Sequence, residues 1–325
     1  MSIFVSVASY CDPMLGFTLE RAAVTAKHPE ALHFGVVDQS LTAAQPTLRW
    51  PRRVSYLRID PVDARGPCWA RALAMTLYAG ESWFLQIDSH MDFDAHWDAR
   101  LIEQAKALLS GRAGAVLASY PNPFTLENGQ PVHKVVGDKV LAHVVKPNTG
   151  FDPGHLVLAF EAHPVPVSEP LPGFHLAAGC LFAPGRFAVE FPYDPRLYFH
   201  GEEQALTLRL YTHGWDIFHP PGLPFYHLYN VGEAAGKRPM HWDAAEDARR
   251  AVKWSEREKL SRQRLGDLVS GATLGVYGLG RVRSLADYAA LSGIDYARKS
   301  LGPQAYKPLA PVGKEPTPVP MSQSR

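Results

Sequence analysis

The sequence predicts an α/β fold built on a mostly parallel sheet flanked by helices. Apolar runs of strand length alternate with segments of helical periodicity over residues 1–119. Such alternation requires crossover connections, which favour parallel pairing. Proline and glycine become frequent after about residue 120, which predicts a smaller antiparallel element. Amphipathic, charged sequence after residue 237 predicts C-terminal helices.

Short patterns define the elements of the first half. Apolar, often β-branched runs predict strands at residues 3–9, 32–37, 54–59, 82–87 and 115–119. Apolar residues at helical spacing predict helices at residues 14–26, 66–78 and 96–109. Pro29, Gly80 and Gly111 follow the three helices in turn, and both residue types commonly mark helix ends.

The second half carries shorter patterns. We expect strands at residues 132–145, 156–161, 215–218 and 225–229, and helices at residues 201–211 and 242–260. The helix at 242–260 is charged and amphipathic, so it can pack on its own domain or on a partner. Residues 302–325 hold many Pro and Ser residues and few large apolar ones, which is typical of a flexible tail.

The composition excludes several classes of protein. The formal net charge is +1 and no Lys/Arg-rich block occurs, which argues against nucleic acid or anionic membranes as partners. Cys11, Cys68 and Cys180 are too few for a disulfide framework and fit a reducing compartment. The amino terminus lacks a signal-peptide pattern, and no run approaches the roughly 18 apolar residues that span a bilayer. We therefore expect a cytoplasmic protein without membrane insertion.

Polar segments cluster at one edge of the predicted sheet. Ligands of parallel sheets gather at the carboxyl ends of the strands. This rule places residues 9–12, 38–40, 65–67 and 88–90 on one rim, which is the first place to expect chemistry. Two cysteines also lie on this rim, but nothing near them indicates thiolate activation, so we interpret them as small buried hydrophobic residues.

The sharpest motif follows the strand predicted at residues 82–87. Asp88 and His90 lie two residues apart, and a turning loop can aim both side chains at one ion. Asp supplies a hard oxygen ligand for Mg²⁺ or Mn²⁺, and His tolerates Mn²⁺ better than Mg²⁺. In the alternative, Asp88 caps a turn by accepting backbone N–H bonds.

Two further motifs have both a functional and a purely structural interpretation. Glu202 and Glu203 begin a predicted helix, where carboxylates complement the helix dipole. In that position they can equally hold sugar hydroxyls or stabilise a developing positive charge. His227 lies between aromatic residues, and it is either a core histidine bonded to backbone or a distant third ligand of the Asp88/His90 site.

Six segments in this order resemble a known family. They are residues 3–10 (IFVSVASY), 66–71 (GPCWAR), 86–91 (QIDSHM), 199–203 (FHGEE), 226–229 (YHLY) and 279–288 (LGRVRSLADY). Together they resemble the cytoplasmic polypeptide N-acetylglucosaminyltransferases, which glycosylate hydroxyproline on a ubiquitin-ligase adaptor in some protists. The resemblance covers about residues 3–300.

The resemblance implies a GT-A fold, the glycosyltransferase fold in which a nucleotide-binding α/β half joins an acceptor-binding half. We accordingly expect a catalytic domain at residues 1–236, with its nucleotide-binding half at 1–119 and its acceptor and metal half at 120–236. Residues 237–301 would form a helical extension. The implied donor is the UDP-sugar UDP-N-acetylglucosamine (UDP-GlcNAc), the implied metal is Mn²⁺ or Mg²⁺, and the anomeric configuration would be retained.

The resemblance also assigns roles to individual residues, in three groups. The implied metal ligands are Asp88, His90 and His227. The residues expected at the donor nucleotide are Ser9, Tyr10, Arg65, Arg71 and Asp88. The catalytic candidates are Glu202 and Glu203, near the donor sugar, and Asp194, which would orient the acceptor.

The predicted activity is therefore metal-dependent transfer of N-acetylglucosamine to a hydroxyl group on a polypeptide or glycan acceptor. Retention can arise by same-face attack or through a covalent intermediate on a carboxylate, for which Glu203 is the candidate. Two alternatives stay open at this point: a metallohydrolase acting on phosphate or sugar esters, and an inactive relative that binds nucleotide sugars. The oligomeric state is open as well.

Overall fold

The computed structural model describes residues 1–44, 51–135, 139–230 and 238–311. Within these ranges the strands are β1 Ile3–Tyr10, β2 Leu32–Gln39, β3 Val54–Arg58, β4 Trp83–Asp88, β5 Met91–Phe93, β6 Ala115–Ala118, β7 Asn122–Glu127, β8 Gln130–His133, β9 Val140–Val145, β10 Phe160–Val165, β11 Leu171–Gly173, β12 Cys180–Pro184, β13 Asp216–His219, β14 Phe225–His227, β15 Ile294–Asp295 and β16 Ser300–Leu301. The α-helices are α1 Leu15–Thr25, α2 Pro67–Met75, α3 Trp97–Leu109, α4 Phe187–Glu190, α5 Glu202–Thr212, α6 Ala244–Ala248, α7 Trp254–Val269 and α8 Leu285–Ser292. None of the described helices is long and apolar enough to cross a membrane.

An eight-stranded sheet with the order β11-β13-β6-β12-β4-β1-β2-β3 forms the centre of the fold. The strands β4, β1, β2 and β3 are parallel neighbours, as the alternating first half of the sequence predicts. On the other side of β4, strand β12 runs antiparallel to both β4 and β6, while β6 and β13 are parallel. The α/β fold class is therefore confirmed, with a mixed second half of the sheet.

Two apolar layers cover the two faces of this sheet. Neighbouring residues of a strand point to opposite faces, so Phe4 and Phe84 join one core cluster while Val5 and Leu85 join the other. Helices α1 and α3 pack on the face of Val5 and Leu85, and helices α5, α7 and α8 contribute to the opposite layer. Since full burial of one such side chain is worth about 1.5–3 kcal/mol, these layers account for much of the stabilisation of the sheet.

Strand β12 is a central element that the sequence patterns did not predict. It lies in the middle of the sheet, and Phe182 stacks on Trp83 of the neighbouring strand β4 with ring centroids 5.1 Å apart. Most of its residues are buried, so its short apolar run shows no alternation. A run of this kind cannot be assigned to strand or helix by periodicity alone.

The antiparallel element differs in detail from the prediction. The single strand predicted at 132–145 corresponds to β8 and β9, and residues 136–138 between them lie outside the described part of the chain. The strand predicted at 156–161 is wrong in position, because the strand in this region is β10. The amide of Leu158 donates to Gln204 Oε1 and the carbonyl of Leu156 accepts from Gln204 Nε2, so one side chain satisfies the backbone there without a strand ladder.

The single helix predicted at residues 242–260 is also wrong, since the structure forms two helices, α6 and α7. Asp247 Oδ1 accepts from the amide of Trp254 at 2.7 Å, and Lys253 Nζ donates to the carbonyl of Arg250 at 2.7 Å. These bonds stabilise the break between the helices. Helix α7 packs on its own chain through Leu265 and Leu268, which are buried in the main core cluster.

The first ten residues of the predicted flexible tail, 302–311, pack on the domain. Residues 303–306 form a 3₁₀ turn, and Ala305 is fully buried. The hydroxyl of Tyr306 donates to the carbonyl of Thr149 at 3.2 Å. The prediction is therefore wrong for residues 302–311, where an Ala and two large apolar side chains pack on the domain. Residues 312–325 of the predicted tail lie outside the described residues.

We predict that Leu265→Ala lowers the free energy of unfolding by about 2–5 kcal/mol, because the substitution leaves a cavity in the core. Leu260 on the same helix is 59% exposed, whereas Leu265 is fully buried. Leu260→Ala should therefore change stability by no more than about 0.5 kcal/mol. Urea unfolding of both variants measures the difference, and equal effects would contradict the packing of helix α7.

Candidate active site

A cavity of about 600 Å³ opens at the carboxyl ends of β1 and β4. The start of helix α5 closes a second side, and residues 238–242, from the predicted helical extension, line a third. Of the four predicted rim segments, 9–12, 65–67 and 88–90 contribute lining residues, while 38–40 lies farther along the same edge. Asp38 in that last segment instead accepts a hydrogen bond from the hydroxyl of Tyr56.

Asp88, His90 and His227 converge on the wall of this cavity. His90 Nε2 lies 2.9 Å from His227 Nε2, and His227 Nε2 lies 3.3 Å from Asp88 Oδ2. One potential ligand atom from each residue falls within 4.8 Å of the other two. Asp88 and His90 come from the end of β4 and the loop after it, and His227 comes from the end of β14. The fold therefore places His227 beside two residues that lie 139 and 137 positions earlier in the chain.

Asp12 fixes the orientation of His90. Its Oδ2 atom lies 2.6 Å from His90 Nδ1 and accepts from Ser89 Oγ at 2.7 Å. Since a carboxylate only accepts, the proton of neutral His90 resides on Nδ1 and the Nε2 lone pair faces the cluster. Burial opposes ionisation of Asp12, but its interactions with His90, with the hydroxyl of Ser89 and with the amide of Met14 together outweigh burial and lower the pKa of Asp12.

Arg71 links Asp88 to Glu202 beneath the cavity. Its guanidinium donates to Glu202 Oε1 at 2.6 Å and to Asp88 Oδ1 at 3.0 Å. Burial opposes ionisation of Asp88, but its hydrogen bond with His227 and the charge of Arg71 hold the pKa of Asp88 well below its usual range. Cys68 Sγ donates to the other carboxylate oxygen of Glu202, and burial raises the pKa of this thiol. The carboxylate of Glu202 is therefore occupied within the protein.

Glu203 has a different environment from Glu202. Its Oε1 atom accepts from the amide of Ala178 at 2.8 Å, and its Oε2 atom lies 3.5 Å from His175 Nε2. The side chain of Glu203 is 28% exposed and lines the cavity. Both glutamates lie in the first turn of α5, as the helix-dipole interpretation requires, and both line the cavity. They differ in their partners, because both oxygens of Glu202 are bonded to Arg71 and Cys68, whereas Glu203 Oε2 has only the 3.5 Å contact with His175.

The residues expected at the nucleotide occupy three different environments. Tyr10 lines the cavity, and its hydroxyl donates to Glu246 and accepts from Arg250. Ser9 lies behind it with a buried hydroxyl that has no partner among the described residues. Arg65 is exposed, stacks on the ring of Trp69 at 5.4 Å, and does not line the cavity. Tyr10 and Arg71 therefore line the cavity, and Arg65 lies outside it.

Asp194 does not reach the cavity. Its Oδ2 atom forms an ion pair with Arg264 Nε at 2.6 Å, and its Oδ1 atom accepts from the amide of Arg196 at 3.0 Å. The side chain is buried between these partners, so its position contradicts the predicted contact with an acceptor. Asp194 instead joins the segment before α5 to helix α7.

Asp12, His175 and Arg238 line the cavity, but the sequence assigned none of them an individual role. Arg238 Nη1 lies 3.6 Å from Asp12 Oδ2, and its Nη2 atom donates to the carbonyl of Leu228. Asp12 carries a signal that could have found it, because it follows the end of a central strand as Asp88 does. The other two have no local signal, since their place in the cavity depends on contacts far along the chain.

The cluster of Asp88, His90 and His227 fits a divalent cation. Metal-binding histidines usually donate their second ring N–H to a carboxylate or carbonyl, and His90 makes this contact with Asp12. His227 Nδ1 is buried without a partner among the described residues. One carboxylate oxygen and two imidazole nitrogens suit Mn²⁺ better than Mg²⁺, which prefers an all-oxygen set.

The family described as "Glycosyltransferase (GlcNAc)" matches residues 42–298. The chain belongs to this family. No curated protein sequence matches this glycosyltransferase closely enough to count as a relative. The narrower resemblance to hydroxyproline-modifying transferases stays a prediction.

One solved structure of another glycosyltransferase, GalNAc-T7, shares the fold. GalNAc-T7, solved with UDP, GalNAc and Mn²⁺, aligns with a TM-score of 0.56 at 14% identity over 89% of this chain and 54% of that chain. This glycosyltransferase thus spans about half the length of the GalNAc-T7 chain. S. aureus TarS 1–349 in complex with UDP-GlcNAc aligns with a TM-score of 0.40 at 14% identity, over 84% of this chain and 74% of that chain. At 14% identity the likeness to GalNAc-T7 concerns the fold alone, and it confirms the GT-A prediction.

Gly179 provides a test of the geometry around Asp88. A Cβ atom at this position would lie 2.7 Å from Asp88 Oδ2, whereas a Cβ atom at Gly150 would meet nothing within 4 Å. Gly179→Ala should therefore displace Asp88 and weaken Mn²⁺ binding by roughly 10–100-fold, while Gly150→Ala leaves it unchanged. Titration of free Mn²⁺ followed by electron paramagnetic resonance measures both affinities. Equal Mn²⁺ affinities in the two variants would show that Asp88 is not a ligand.

Proposed function

We propose that this glycosyltransferase transfers N-acetylglucosamine from UDP-GlcNAc to a hydroxyl group of a polypeptide or glycan, with a divalent metal and with retention of configuration. The observation that carries the proposal is the convergence of Asp88, His90 and His227 on one wall of a cavity at the carboxyl ends of the parallel strands. Membership of the "Glycosyltransferase (GlcNAc)" family supports the sugar. The GT-A neighbour solved with UDP and Mn²⁺ supports the class of donor and cofactor.

Asp88, His90 and His227 are the residues that would hold the cation. When bound there, a divalent cation supplies positive charge that neutralises the departing diphosphate. Asp12 holds His90 in the required tautomer, and Arg71 keeps Asp88 ionised. These contacts prepare the site before any ligand arrives, because they lie within the protein.

Cationic and aromatic side chains complete the proposed donor site. Arg238 lines the cavity beside Asp12, where its charge can attract the diphosphate. Tyr10 and His241 form an edge-to-face pair with ring centroids 5.2 Å apart, and both line the cavity. Aromatic surfaces of this kind suit a nucleobase, so we assign the uridine to the Tyr10 side and the sugar to the Glu203 side.

Glu203 is the acid placed to act on the sugar. One of its oxygens is fixed by the amide of Ala178, and the other faces the cavity. Same-face attack, with the leaving phosphate taking the acceptor proton, and a covalent intermediate on Glu203 both lead to retention. In contrast, Glu202 is a positioning residue, because its carboxylate binds Arg71 and Cys68.

We predict that the purified protein releases UDP slowly from UDP-GlcNAc in the absence of acceptor, because transferases commonly let water attack the activated sugar. A panel of UDP-sugars, each with Mn²⁺, with Mg²⁺ and with EDTA, measures donor and metal together. Release should be greatest with UDP-GlcNAc and Mn²⁺ and should be lost with EDTA. Hydrolysis of simple phosphate esters without UDP dependence would favour a hydrolase instead, and absence of any release and of UDP binding would refute the transferase proposal.

The same assay should distinguish Asp88 from a matched aspartate. Asp88 is 26% exposed and pairs with Arg71 at 3.0 Å, while Asp216 is 30% exposed and pairs with Arg283 at 2.8 Å, away from the cavity. Asp88→Asn should lower UDP release at least about 100-fold, because the ligand for the charge-neutralising cation is lost. Asp216→Asn should retain activity. Similar activity in both variants would show that the site assignment is incorrect.

A further inference from the structure

His175 is a buried polar side chain in the wall of the cavity. It is 1% exposed, and neither ring nitrogen makes a hydrogen bond to a described residue. Its ring lies flat on that of Phe160, with centroids 3.4 Å apart and an angle of 7°. Buried polar atoms in folded proteins are nearly always hydrogen-bonded. Two unpaired ring nitrogens in a histidine at a cavity wall therefore indicate that the residue binds a ligand.

The surroundings of His175 place it beside one oxygen of Glu203. His175 Nε2 lies 3.5 Å from Glu203 Oε2, outside hydrogen-bond geometry. The other oxygen of Glu203 is held by the amide of Ala178. Glu203 therefore cannot turn freely, and both residues line the cavity.

This pair lies next to the proposed metal and diphosphate side. The amide of Asp88 donates to the carbonyl of Gly179 at 3.2 Å, and the preceding residue, Ala178, holds Glu203. Asp88 and Glu203 are thus hydrogen-bonded to two consecutive residues, Gly179 and Ala178. A sugar bonded to a diphosphate near Asp88 has its ring within reach of Glu203 and His175.

We propose that His175 and Glu203 together bind one hydroxyl group of the transferred sugar, and that His175 determines which sugar is accepted. The proposal rests on the proposed function and names a specificity residue within it. A sugar hydroxyl both donates and accepts, so it can donate to Glu203 Oε2 and accept from the N–H of His175. An epimer whose hydroxyl points away leaves both buried groups unpaired, and unpaired buried groups give strong discrimination.

The test compares UDP with UDP-GlcNAc in calorimetric titrations with Mn²⁺. His175→Phe keeps a ring that can stack on Phe160 and removes both nitrogens. We expect it to weaken UDP-GlcNAc binding by roughly 10–100-fold and to leave the affinity for UDP alone unchanged. The preference of UDP release, in kcat/KM, for UDP-GlcNAc over its 4-epimer UDP-N-acetylgalactosamine should fall toward one.

Two further variants make the test decisive. Glu203→Gln keeps the shape of the side chain and should weaken the binding of UDP-GlcNAc but not of UDP in the same titration, a readout that does not depend on turnover and remains available where His175→Phe fails to fold. His213→Phe makes the same change at an exposed histidine outside the cavity and should behave as the unaltered protein. The assignment of His175 would be wrong if His175→Phe weakened the binding of UDP and UDP-GlcNAc equally. It would also be wrong if neither cavity variant changed the preference for UDP-GlcNAc over its 4-epimer. Neither result would contradict the proposed function. Absence of UDP-GlcNAc binding by the unaltered protein would instead overturn the proposed function and this inference with it.

Discussion

The guanidinium of Arg71 lies buried between two carboxylates that come from distant parts of the chain. It donates to Asp88 at the end of β4 and to Glu202 at the start of α5. An unpaired charge in this position would be very costly, and removal of one partner of such a buried pair typically costs 3–5 kcal/mol. The three elements α2, β4 and α5 are therefore tied to one arrangement, in which Asp88 stays ionised at the cavity wall.

The fold supplies these partners through simple constraints. Parallel pairing of β1 with β4 in the register Ala8 to Asp88 brings the ends of both strands to one edge. Gly66, with φ +96° and its Cα directly against the ring of Tyr198, lets α2 begin close to that edge, and Arg71 follows in the helix. Gly179 allows β12 to start against Asp88, where a side chain would collide with the carboxylate. The site thus depends on close backbone approaches as much as on its polar residues.

The sequence predicted the parts of this arrangement that depend on local pattern. Strands β1 to β4 and helices α1 to α3 follow from apolar periodicity, and Asp88 and His90 follow from their place at a strand end. The residues alone left two interpretations of His227, because a histidine between aromatic residues shows no partner in its own segment, and only the family resemblance assigned it to the metal. The structure brings it within 2.9 Å of His90.

Features that arise from contacts between distant segments could not be predicted. Strand β12 is buried on both sides and has no alternation, and the neighbours of His175 come from β10 and from α5. Arg65 and Asp194 show the opposite error, since a residue near a motif need not face the cavity. Arg65 stacks on Trp69 and Asp194 pairs with Arg264, so local packing determined their direction.

The proposed activity depends on a divalent cation bound to Asp88, His90 and His227 beside the donor. Anomalous diffraction from crystals grown with Mn²⁺ and UDP-GlcNAc tests it most directly, because it locates manganese without reference to activity. We expect one strong manganese peak within roughly 2.0–2.5 Å of Asp88, His90 and His227, with the diphosphate on the same ion. A bound donor with manganese held elsewhere, or with no manganese at all, would contradict it.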